Sequence, residues 1–240
     1  MPTKLSVNVN KIATLRNARG GNLPNLVQVA KDCEQFGADG ITIHPRPDKR
    51  HITEKDVYDL AGIVQTEYNI EGYPNERFMQ FMKDVKPTQA TLVPDGPNVL
   101  TSSAGWDTVT HFDFLSDIVR QIKDLGIRVS IFVGTDERIL EHAKKVGADR
   151  IEFYTGPYAD HYATNREEAI EPYIKAAQVA DKIGLGINAG HDLNLDNLAY
   201  FKQNIPSLLE VSIGHALVSD ALYFGLENTV RMYHKELADV

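Results

Sequence analysis

The sequence repeats one local pattern, in which a helix-like stretch ends in glycine and a short run of β-branched and aromatic residues follows. The pattern occurs in CEQFGADGITIH, KDLGIRVSIFVG, AKKVGADRIEFYTG and DKIGLGINAG. Glycine adopts the left-handed conformation that closes many helices at the least cost, and runs of Ile, Val and Phe favour strands. Strands that alternate with helices form a parallel sheet with right-handed crossovers.

Eight strands are predicted along the 240-residue chain, and a helix-like segment follows each of them. They cover residues 4–10, 40–44, 69–73, 89–94, 128–133, 150–155, 186–189 and 209–214. Eight β/α units in a chain of this length fit an α/β fold, a single (β/α)8 TIM barrel over residues 1–240. A doubly wound open sheet is the alternative, but the even spacing and the lack of a glycine-rich dinucleotide motif disfavour it.

The composition is that of a soluble globular protein, with 42% hydrophobic and 24% charged residues. A net charge of −8 disfavours general nucleic-acid binding, which requires a basic surface. The single cysteine, Cys33, excludes an internal disulfide and suits a reducing compartment. No secretory signal pattern and no apolar run of about 20 residues occurs in the sequence. We therefore expect a cytoplasmic protein that binds neither nucleic acid nor a membrane.

Polar and apolar side chains alternate along several of the predicted strands. Asn8 lies on the polar face of KLSVNVN, and Glu71 and Glu152 lie on the polar faces of NIEGY and RIEFYTG. Helices cover the outside of a barrel and require an apolar outer face, so we expect the polar residues to face the lumen. A carboxylate there is costly without polar partners. Its partners are either a polar ligand or a hydrogen-bond network within the barrel.

Ionisable residues gather where the predicted strands end. His44, Glu71, His191 and His215 lie at or close to strand ends, and Glu152 lies within its strand. Active sites of β/α barrels form at the C-terminal ends of the strands. Imidazoles titrate near neutral pH, and burial can raise the pKa of a carboxyl group. These residue types therefore indicate proton-transfer chemistry at one rim of the barrel.

Two segments at this rim are candidate anion sites. Arg46, Arg50 and His51 follow the second predicted strand directly, where they can pair with a phosphate or form a solvated surface loop. Gly214 and His215 end the last strand and begin the last helix, and the N–H groups of such a turn suit a phosphate. Two phosphate sites on one rim indicate a reaction that joins two small phosphorylated molecules.

Six longer stretches occur in order between residues 4 and 237: NKIATLRNARG, GADGITIHPRPDKRHI, NIEGYP, EFYTGPYAD, NAGHDL and SIGHAL. In these stretches the chain resembles the pyridoxine 5′-phosphate synthase family of the deoxyxylulose-phosphate route to vitamin B6. The resemblance implies a (β/α)8 barrel assembled as a homo-octamer, without a metal or an organic cofactor. It also implies the condensation of 1-deoxy-D-xylulose 5-phosphate with 3-amino-2-oxopropyl phosphate. The products are pyridoxine 5′-phosphate, inorganic phosphate and water.

The resemblance also assigns roles to individual residues. His44 and Glu71 match the family's proton acceptors, His191 matches its proton donor, and Glu152 matches the residue that stabilises developing charge. The residues that match contacts to the aminoketone phosphate are Asn8, Arg19, Gly214 and His215. The residues that match contacts to the sugar phosphate are Arg46, His51 and Thr101.

Two departures from the family pattern concern these substrate contacts. Relatives commonly have Asp-His where this chain has Asn10 and Lys11, and these positions help to hold the sugar phosphate. Relatives also commonly have glycine after the donor histidine, where this chain has Asp192. A carboxylate would repel a nearby phosphate, so we expect the Asp192 side chain to turn away and cap the following helix.

Two other functions fit parts of the same pattern. A metal-dependent epimerase acting on a phosphosugar would use the histidines and acids at the strand ends as metal ligands. A non-catalytic barrel that binds phosphorylated ligands would share the basic segment and the last turn. Such a barrel gives no reason for both Glu71 and Glu152 to face the lumen.

Overall fold

The computed structural model describes residues 2–95 and 104–238 of the chain. Eight parallel strands form a closed barrel in which each strand pairs with the next, and the last pairs with the first. The predicted (β/α)8 barrel is confirmed. The strands are β1 (Lys4–Asn8), β2 (Gly40–Ile43), β3 (Glu67–Gly72), β4 (Gln89–Leu92), β5 (Arg128–Val133), β6 (Arg150–Tyr154), β7 (Gly186–Gly190) and β8 (Leu208–Ile213).

Helices follow every strand, and β1, β6 and β8 are each followed by two. The helices of the described residues are α1 (Asn10–Asn17), α2 (Leu26–Gln35), α3 (Glu54–Ala61), α4 (Glu76–Val85), α5 (Phe112–Asp124), α6 (Glu137–Lys145), α7 (Gly156–Tyr162), α8 (Arg166–Lys182), α9 (Leu198–Asn204), α10 (His215–Phe224) and α11 (Leu226–Leu237). No helix in residues 2–95 or 104–238 combines the length and apolar character that crossing a membrane requires. Of each pair, α1, α7 and α10 begin directly after a strand, so they bring residues to the C-terminal end of the barrel.

The glycines of the repeated pattern end helices, as predicted. Gly37, Gly126, Gly147 and Gly184 all have positive φ angles, between 67° and 113°. A residue with a Cβ atom adopts this conformation at a cost, so glycine ends the helix and turns the chain towards the next strand. This local rule explains why the sequence predicts the number and order of the units.

The middle of the barrel lumen is polar and hydrogen-bonded from strand to strand. The hydroxyls of Ser6 and Thr42 lie 2.6 Å apart, and Asn69 donates to the Thr42 hydroxyl at 3.2 Å. Thr91 in turn donates to the Asn69 carbonyl oxygen at 3.0 Å. The apolar residues between them, such as Leu5, are buried in the layer between strands and helices. The predicted alternation is therefore confirmed, and the lumen can accommodate polar side chains.

Charged side chains close the N-terminal end of the barrel. Lys4 donates to Glu67 at 2.7 Å, and Arg128 binds the other oxygen of the same carboxylate. Arg128 also donates to Gln89 at 2.9 Å, which extends the network to four strands. These residues lie at the starts of their strands, away from the end that carries the predicted site.

Glu210 is a buried carboxyl group in the lumen that the sequence analysis did not single out. Gln89 donates to one of its oxygens and Arg150 to the other, both at 3.4 Å. Burial, followed by the charge of Glu67, raises the pKa of Glu210 to about 7. The alternation in LLEVSI marks this position by the same criterion that was used for the other two glutamates.

We expect Glu210→Gln to reduce the loss of stability with rising pH. The carboxyl pKa rises from an ordinary 4.5 to about 7 in the folded protein. Between these values the folded state binds more protons than the unfolded state, so the free energy of unfolding falls as pH rises. The variant lacks this proton linkage, and calorimetry should show a smaller decrease in its Tm across that range.

Glu67→Gln is the matched control because its effect has the opposite sign. Burial opposes the ionisation of Glu67, but hydrogen bonds from Lys4 and Arg128 outweigh it and lower the pKa to about 2. This carboxylate therefore stabilises the fold above its unfolded pKa, and the contribution is lost on acidification. Parallel Tm profiles for wild type and Glu210→Gln would contradict the assignment.

Candidate active site

A cavity of about 650 Å³ lies at the C-terminal end of the barrel, where the sequence predicts the site. Side chains from β1, β3, β6 and β8 line it, together with the segments that follow β2 and β7. The predicted site residues that line this cavity are Asn8, Asn10, Lys11, His44, Arg46, His51, Glu71, Glu152, His191, Asp192, Gly214 and His215.

Two predicted site residues are not found at this cavity. Arg19 is exposed in the turn that follows α1 and does not line the cavity, so the structure does not place it at a substrate phosphate. Thr101 lies outside the described residues, and its predicted role stays a prediction.

His44 and Glu71 form a buried pair. His44 Nδ1 lies 3.8 Å from Glu71 Oε2, and Asn8 and Ser212 approach the two carboxyl oxygens at 3.5 and 3.4 Å. Burial raises the pKa of Glu71 to about 8. Burial, followed by the charge of Arg46, lowers the pKa of His44 well below its ordinary value. Both groups are therefore uncharged at neutral pH, and the imidazole is available to accept a proton.

Glu152 projects from the middle of β6, and the position of its side chain depends on the backbone of the neighbouring strand, β7. Burial, followed by the charges of Glu71 and Glu210, raises its pKa well above the ordinary range. Its Oε1 atom lies only 2.5 Å from the position that a Cβ atom at Gly190 would occupy. Glycine at the end of β7 thus leaves room for this carboxyl group. A protonated carboxyl can donate a hydrogen bond to an oxygen that gains negative charge during a reaction.

His191 and Asp192 lie in the turn after β7, and both have positive φ angles, 84° and 60°. His191 Nδ1 lies 2.6 Å from Asp192 Oδ2. The prediction that Asp192 turns away and caps the following helix is wrong, because α9 begins only at Leu198 and the carboxylate contacts the histidine. The left-handed backbone of both residues brings the two side chains together.

The basic segment after β2 is largely paired with carboxylates. Arg46 is buried, and its Nη1 atom donates to Asp95 Oδ2 at 2.9 Å. Arg50 donates to Asp48 at 2.6 Å. Asp95 lies three residues after the end of β4, and its place close to a strand end was not used to predict it at the site. An incoming phosphate would share or replace these carboxylate partners.

His51 is the uncharged member of this segment. Burial, followed by the charges of Arg46 and Lys11, lowers its pKa to about 4. Its Nδ1 atom accepts a hydrogen bond from the backbone N–H of Ile52 at 2.9 Å. In the neutral ring the proton therefore resides on Nε2, and His51 can bind an anion as a hydrogen-bond donor rather than as a cation.

Asn10 holds the strand ends of β1 and β2 together. Its side-chain oxygen accepts the backbone N–H of His44 at 2.9 Å, and its own N–H donates to the Asn8 side chain at 3.1 Å. This contact needs an acceptor oxygen, which an amide supplies as well as a carboxylate does. Lys11 is exposed at the rim of the same cavity. The amide at position 10 therefore supplies the acceptor that orients the His44 backbone.

The N-terminus of α10 faces the cavity. Gly214 precedes the helix, and Gly214, His215 and Ala216 all line the cavity wall. A Cβ atom at Gly214 would lie 3.1 Å from the Asn8 side chain. The free N–H groups at a helix N-terminus and the helix dipole attract anions. This turn can therefore bind a phosphate with backbone groups.

Two aromatic rings pack beside the cavity near His191, and one of them, Phe132, lines it. The Tyr154 ring meets the His191 ring edge-on at a centroid distance of 5.0 Å, and Phe132 lies 5.6 Å from Tyr154. Phe132 was not predicted at the site, because an aromatic residue in a strand is ordinarily part of the core. Across residues 2–95 and 104–238, no group of three or more His, Cys, Asp or Glu residues is arranged to hold a metal ion.

Comparisons with known proteins agree on one family. The family model described as pyridoxal phosphate biosynthesis protein PdxJ matches residues 5–239. The pyridoxine 5′-phosphate synthase of Cytophaga hutchinsonii is 61% identical over 235 residues, covering 98% of this chain and 99% of that protein. The pyridoxine 5′-phosphate synthase of Parabacteroides distasonis is 59% identical over 231 residues, covering 96% and 97%.

Similar solved structures show the fold alone. A tryptophan synthase from M. tuberculosis has a TM-score of 0.70 at 12% identity, over all of this chain and 94% of that one. A monomeric form of phosphoribosylanthranilate isomerase from Thermotoga maritima has a TM-score of 0.60 at 16% identity, over 98% of both chains.

Proposed function

Because the chain belongs to the family of the pyridoxal phosphate biosynthesis protein PdxJ, we propose that it synthesises pyridoxine 5′-phosphate. The substrates are 1-deoxy-D-xylulose 5-phosphate and 3-amino-2-oxopropyl phosphate, and inorganic phosphate and water are released. The observation that carries this proposal is a single cavity that combines four ionisable groups for proton transfer with two anion-binding walls.

The two walls match two phosphorylated substrates. The α10 N-terminus, with Gly214 and His215, offers backbone N–H groups to the aminoketone phosphate. The basic segment on the other wall, with Arg46 and His51, offers side-chain donors to the sugar phosphate. Lys11 at the rim adds positive charge to the same cavity. Two separate anion sites hold both substrates with their reacting carbons and nitrogen between them.

The chemistry requires several proton transfers. The substrate amine adds to the ketone carbon, and the carbinolamine loses its hydroxyl as water. A carbon–oxygen bond to phosphate then breaks, a new carbon–carbon bond closes the ring by addition to a carbonyl carbon, and the resulting hydroxyl leaves as a second water to give the aromatic ring. His44 and Glu71 accept protons: the imidazole of His44 is uncharged because burial lowers its pKa, and Glu71, with a pKa of about 8, accepts a proton in its ionised form.

Glu152 and His191 complete the set of proton-handling groups. Burial raises the pKa of Glu152 well above its ordinary value, which favours the protonated carboxyl, so it stabilises a developing oxyanion by donating a hydrogen bond. His191 donates the proton that each departing hydroxyl or phosphate requires. Acid–base catalysis by these four groups accounts for every bond change without a further cofactor.

The direct test is to incubate the protein with both substrates and follow the absorbance of the pyridine ring and the release of phosphate. Both signals should appear together and require both substrates. Activity that persists after treatment with a chelator separates this enzyme from a metal-dependent epimerase. Binding of both substrates without product would instead support a barrel that only binds phosphorylated ligands.

We expect the two anion walls to be separable by mutation. Arg46→Gln removes the guanidinium charge but keeps an N–H donor for buried Asp95. A charge-assisted hydrogen bond contributes about 1.5–3 kcal/mol, so affinity for the sugar phosphate should fall roughly 10-fold or more. Gly214→Ala places a Cβ atom 3.1 Å from Asn8. This variant should instead weaken the binding of the aminoketone phosphate.

Calorimetric titration of each variant with each substrate separately provides the measurement. Each variant serves as the control for the other, because each should bind its unaffected substrate within about threefold of wild type, a small change beside the lost contact. If both folded variants lose both ligands equally, the assignment of the walls is wrong.

The assembled state is proposed to be a homo-octamer, as the family resemblance implies. An exposed apolar patch supports burial against further copies of the chain. Leu222 and Tyr223 at the end of α10 are 75% and 87% exposed, and Phe224 beside them is 48% exposed. Large contiguous apolar patches on a soluble protein mark interaction surfaces. Sedimentation equilibrium measures the mass of the assembly directly.

A further inference from the structure

The turn after β7 places a carboxylate directly on the proton-donating histidine. Asp192 Oδ2 lies 2.6 Å from His191 Nδ1, which is the distance of a strong charge-assisted hydrogen bond. The two residues are adjacent in sequence, and neighbouring side chains ordinarily point apart. They meet here because both residues have positive φ angles. Side chains other than glycine adopt this backbone at a cost, so a strained turn maintains the contact.

Two side chains outside the pair hold this turn in place. Thr155 donates its hydroxyl to the backbone carbonyl of Gly190 at 2.8 Å and also contacts the carbonyl of His191. Asn197 donates to the backbone carbonyl of Asp192 at 3.2 Å. Hydrogen bonds therefore fix the backbone on both sides of the histidine, and the orientation of the ring is left to its side-chain contacts.

The groups that face the pair come from three other elements. Tyr154 of β6 packs its ring edge-on against His191, Asp160 of α7 lies near Tyr154, and His215 of α10 acts on Asp192. The hydrogen bond to His191 lowers the pKa of Asp192, so its carboxylate is charged at neutral pH. A charged acceptor at Nδ1 favours the ring form that carries a proton on Nδ1.

We propose that Asp192 is a positioning residue that holds the Nδ1–H form of His191 and so makes Nε2 the nitrogen that exchanges a proton with the substrate. A histidine hydrogen-bonded through Nδ1 to a carboxylate keeps its ring orientation and tautomer fixed, as in other catalytic pairs. The role of His191 as donor rests on the proposed function, whereas the tautomer of its ring does not. Asp192 thus acts through His191 and not through a substrate phosphate.

Two substitutions separate orientation from charge. Asp192→Gly removes the carboxylate, and glycine adopts the positive φ of this turn without strain. Asp192→Asn removes the charge but keeps an oxygen that can accept the Nδ1–H group. Asp196→Asn is the matched control, because Asp196 is an exposed carboxylate in the same segment.

The tautomer is measured by solid-state NMR of the assembled protein labelled with 15N-histidine, with His191→Gln used to assign the signal. The wild-type ring should be protonated on Nδ1 when neutral. Asp192→Gly should shift the ring to the Nε2–H form. Asp192→Asn should give a fraction of the Nδ1–H form between those of Asp192→Gly and wild type, and the control should match wild type. An Nε2–H ring in wild type, or an unchanged Nδ1–H ring in Asp192→Gly, would overturn the proposal.

Kinetics supply the second readout. We expect kcat of Asp192→Gly to fall about 10-fold or more, within the range of general acid catalysis, while KM for both substrates stays within about threefold. Asp192→Asn should recover part of this loss. A larger KM with an unchanged kcat would show that Asp192 serves substrate binding instead. A wild-type protein that forms no product would refute the proposed function, and the tautomer measurement would still decide the role of Asp192.

Discussion

Glu71→Gln should lower turnover by about 10²-fold or more, the scale of general acid–base catalysis, while the protein stays folded. Glutamine has the shape of glutamate and can still approach Asn8 and Ser212, but it cannot accept a proton. As a base, Glu71 acts in its ionised form, and its pKa is about 8. Wild-type kcat/KM should therefore rise with pH towards this value, and the variant should lose this rise.

The same substitution should stabilise the protein at alkaline pH. The folded pKa of Glu71, about 8, lies above its ordinary value of 4.5. The folded state therefore binds the extra proton between these values, and the free energy of unfolding falls as pH rises through them. Glutamine has no proton to lose, so Tm of the variant should exceed that of wild type at about pH 8. Lower activity together with higher stability is expected when a buried carboxyl group serves catalysis at a cost in stability.

Glu210→Gln is the control for the activity measurement. Glu210 is also a buried lumen carboxyl with a raised pKa, but it lies towards the N-terminal end of the barrel and does not line the cavity. It should keep turnover within about fivefold of wild type, well short of the loss expected for a general base. Near-normal turnover in Glu71→Gln, or an equal loss in both variants, would contradict the role of Glu71.

Gly190→Ala should lower kcat about 10- to 100-fold with a small change in Tm, because it displaces a group that acts through electrostatic stabilisation. The new Cβ atom would lie 2.5 Å from Glu152 Oε1, closer than two such atoms can approach. The carboxyl group is the flexible end of its side chain, so it moves while the fold is retained. Its hydrogen bond to the developing charge is then misplaced.

Gly134→Ala is the matched control directly after β5, which pairs with the strand that carries Glu152. A Cβ atom at Gly134 would have no other atom within 4 Å, so this variant should behave as wild type. Steady-state kinetics and calorimetry on both variants separate the two outcomes. Wild-type kcat in Gly190→Ala would show that the position of Glu152 does not matter for turnover.

The location of the site followed from local sequence patterns, but its internal contacts did not. His44 and Glu71 were predicted at strand ends, and barrel geometry places all strand ends on one rim. The partners of Arg46 and His191 were missed or mistaken: Asp95 binds the arginine, and Asp192 binds the histidine instead of capping a helix. These contacts depend on side-chain orientation and backbone dihedrals that no periodicity in the sequence encodes.

The sequence by itself determined the fold and the polar character of the lumen. Helix-ending glycines, apolar strands and the polar–apolar alternation are local rules, because backbone sterics and one-sided burial act over a few residues. All eight predicted strands are present, and β1 ends at Asn8, not at residue 10, because α1 already begins at Asn10.

Only the tertiary structure decided which groups are hydrogen-bonded, which are paired with an opposite charge and which line the same cavity. Asn8 and Glu71 are 63 residues apart, and Ser212 and Glu71 are 141 apart, yet closure of the barrel brings them into contact. The raised pKa of Glu71 arises from burial among these distant neighbours. Arg19 matched the family pattern but is exposed outside the cavity. Distances between remote segments and the solvent exclusion that they create are properties of the closed barrel, so they appear only in three dimensions.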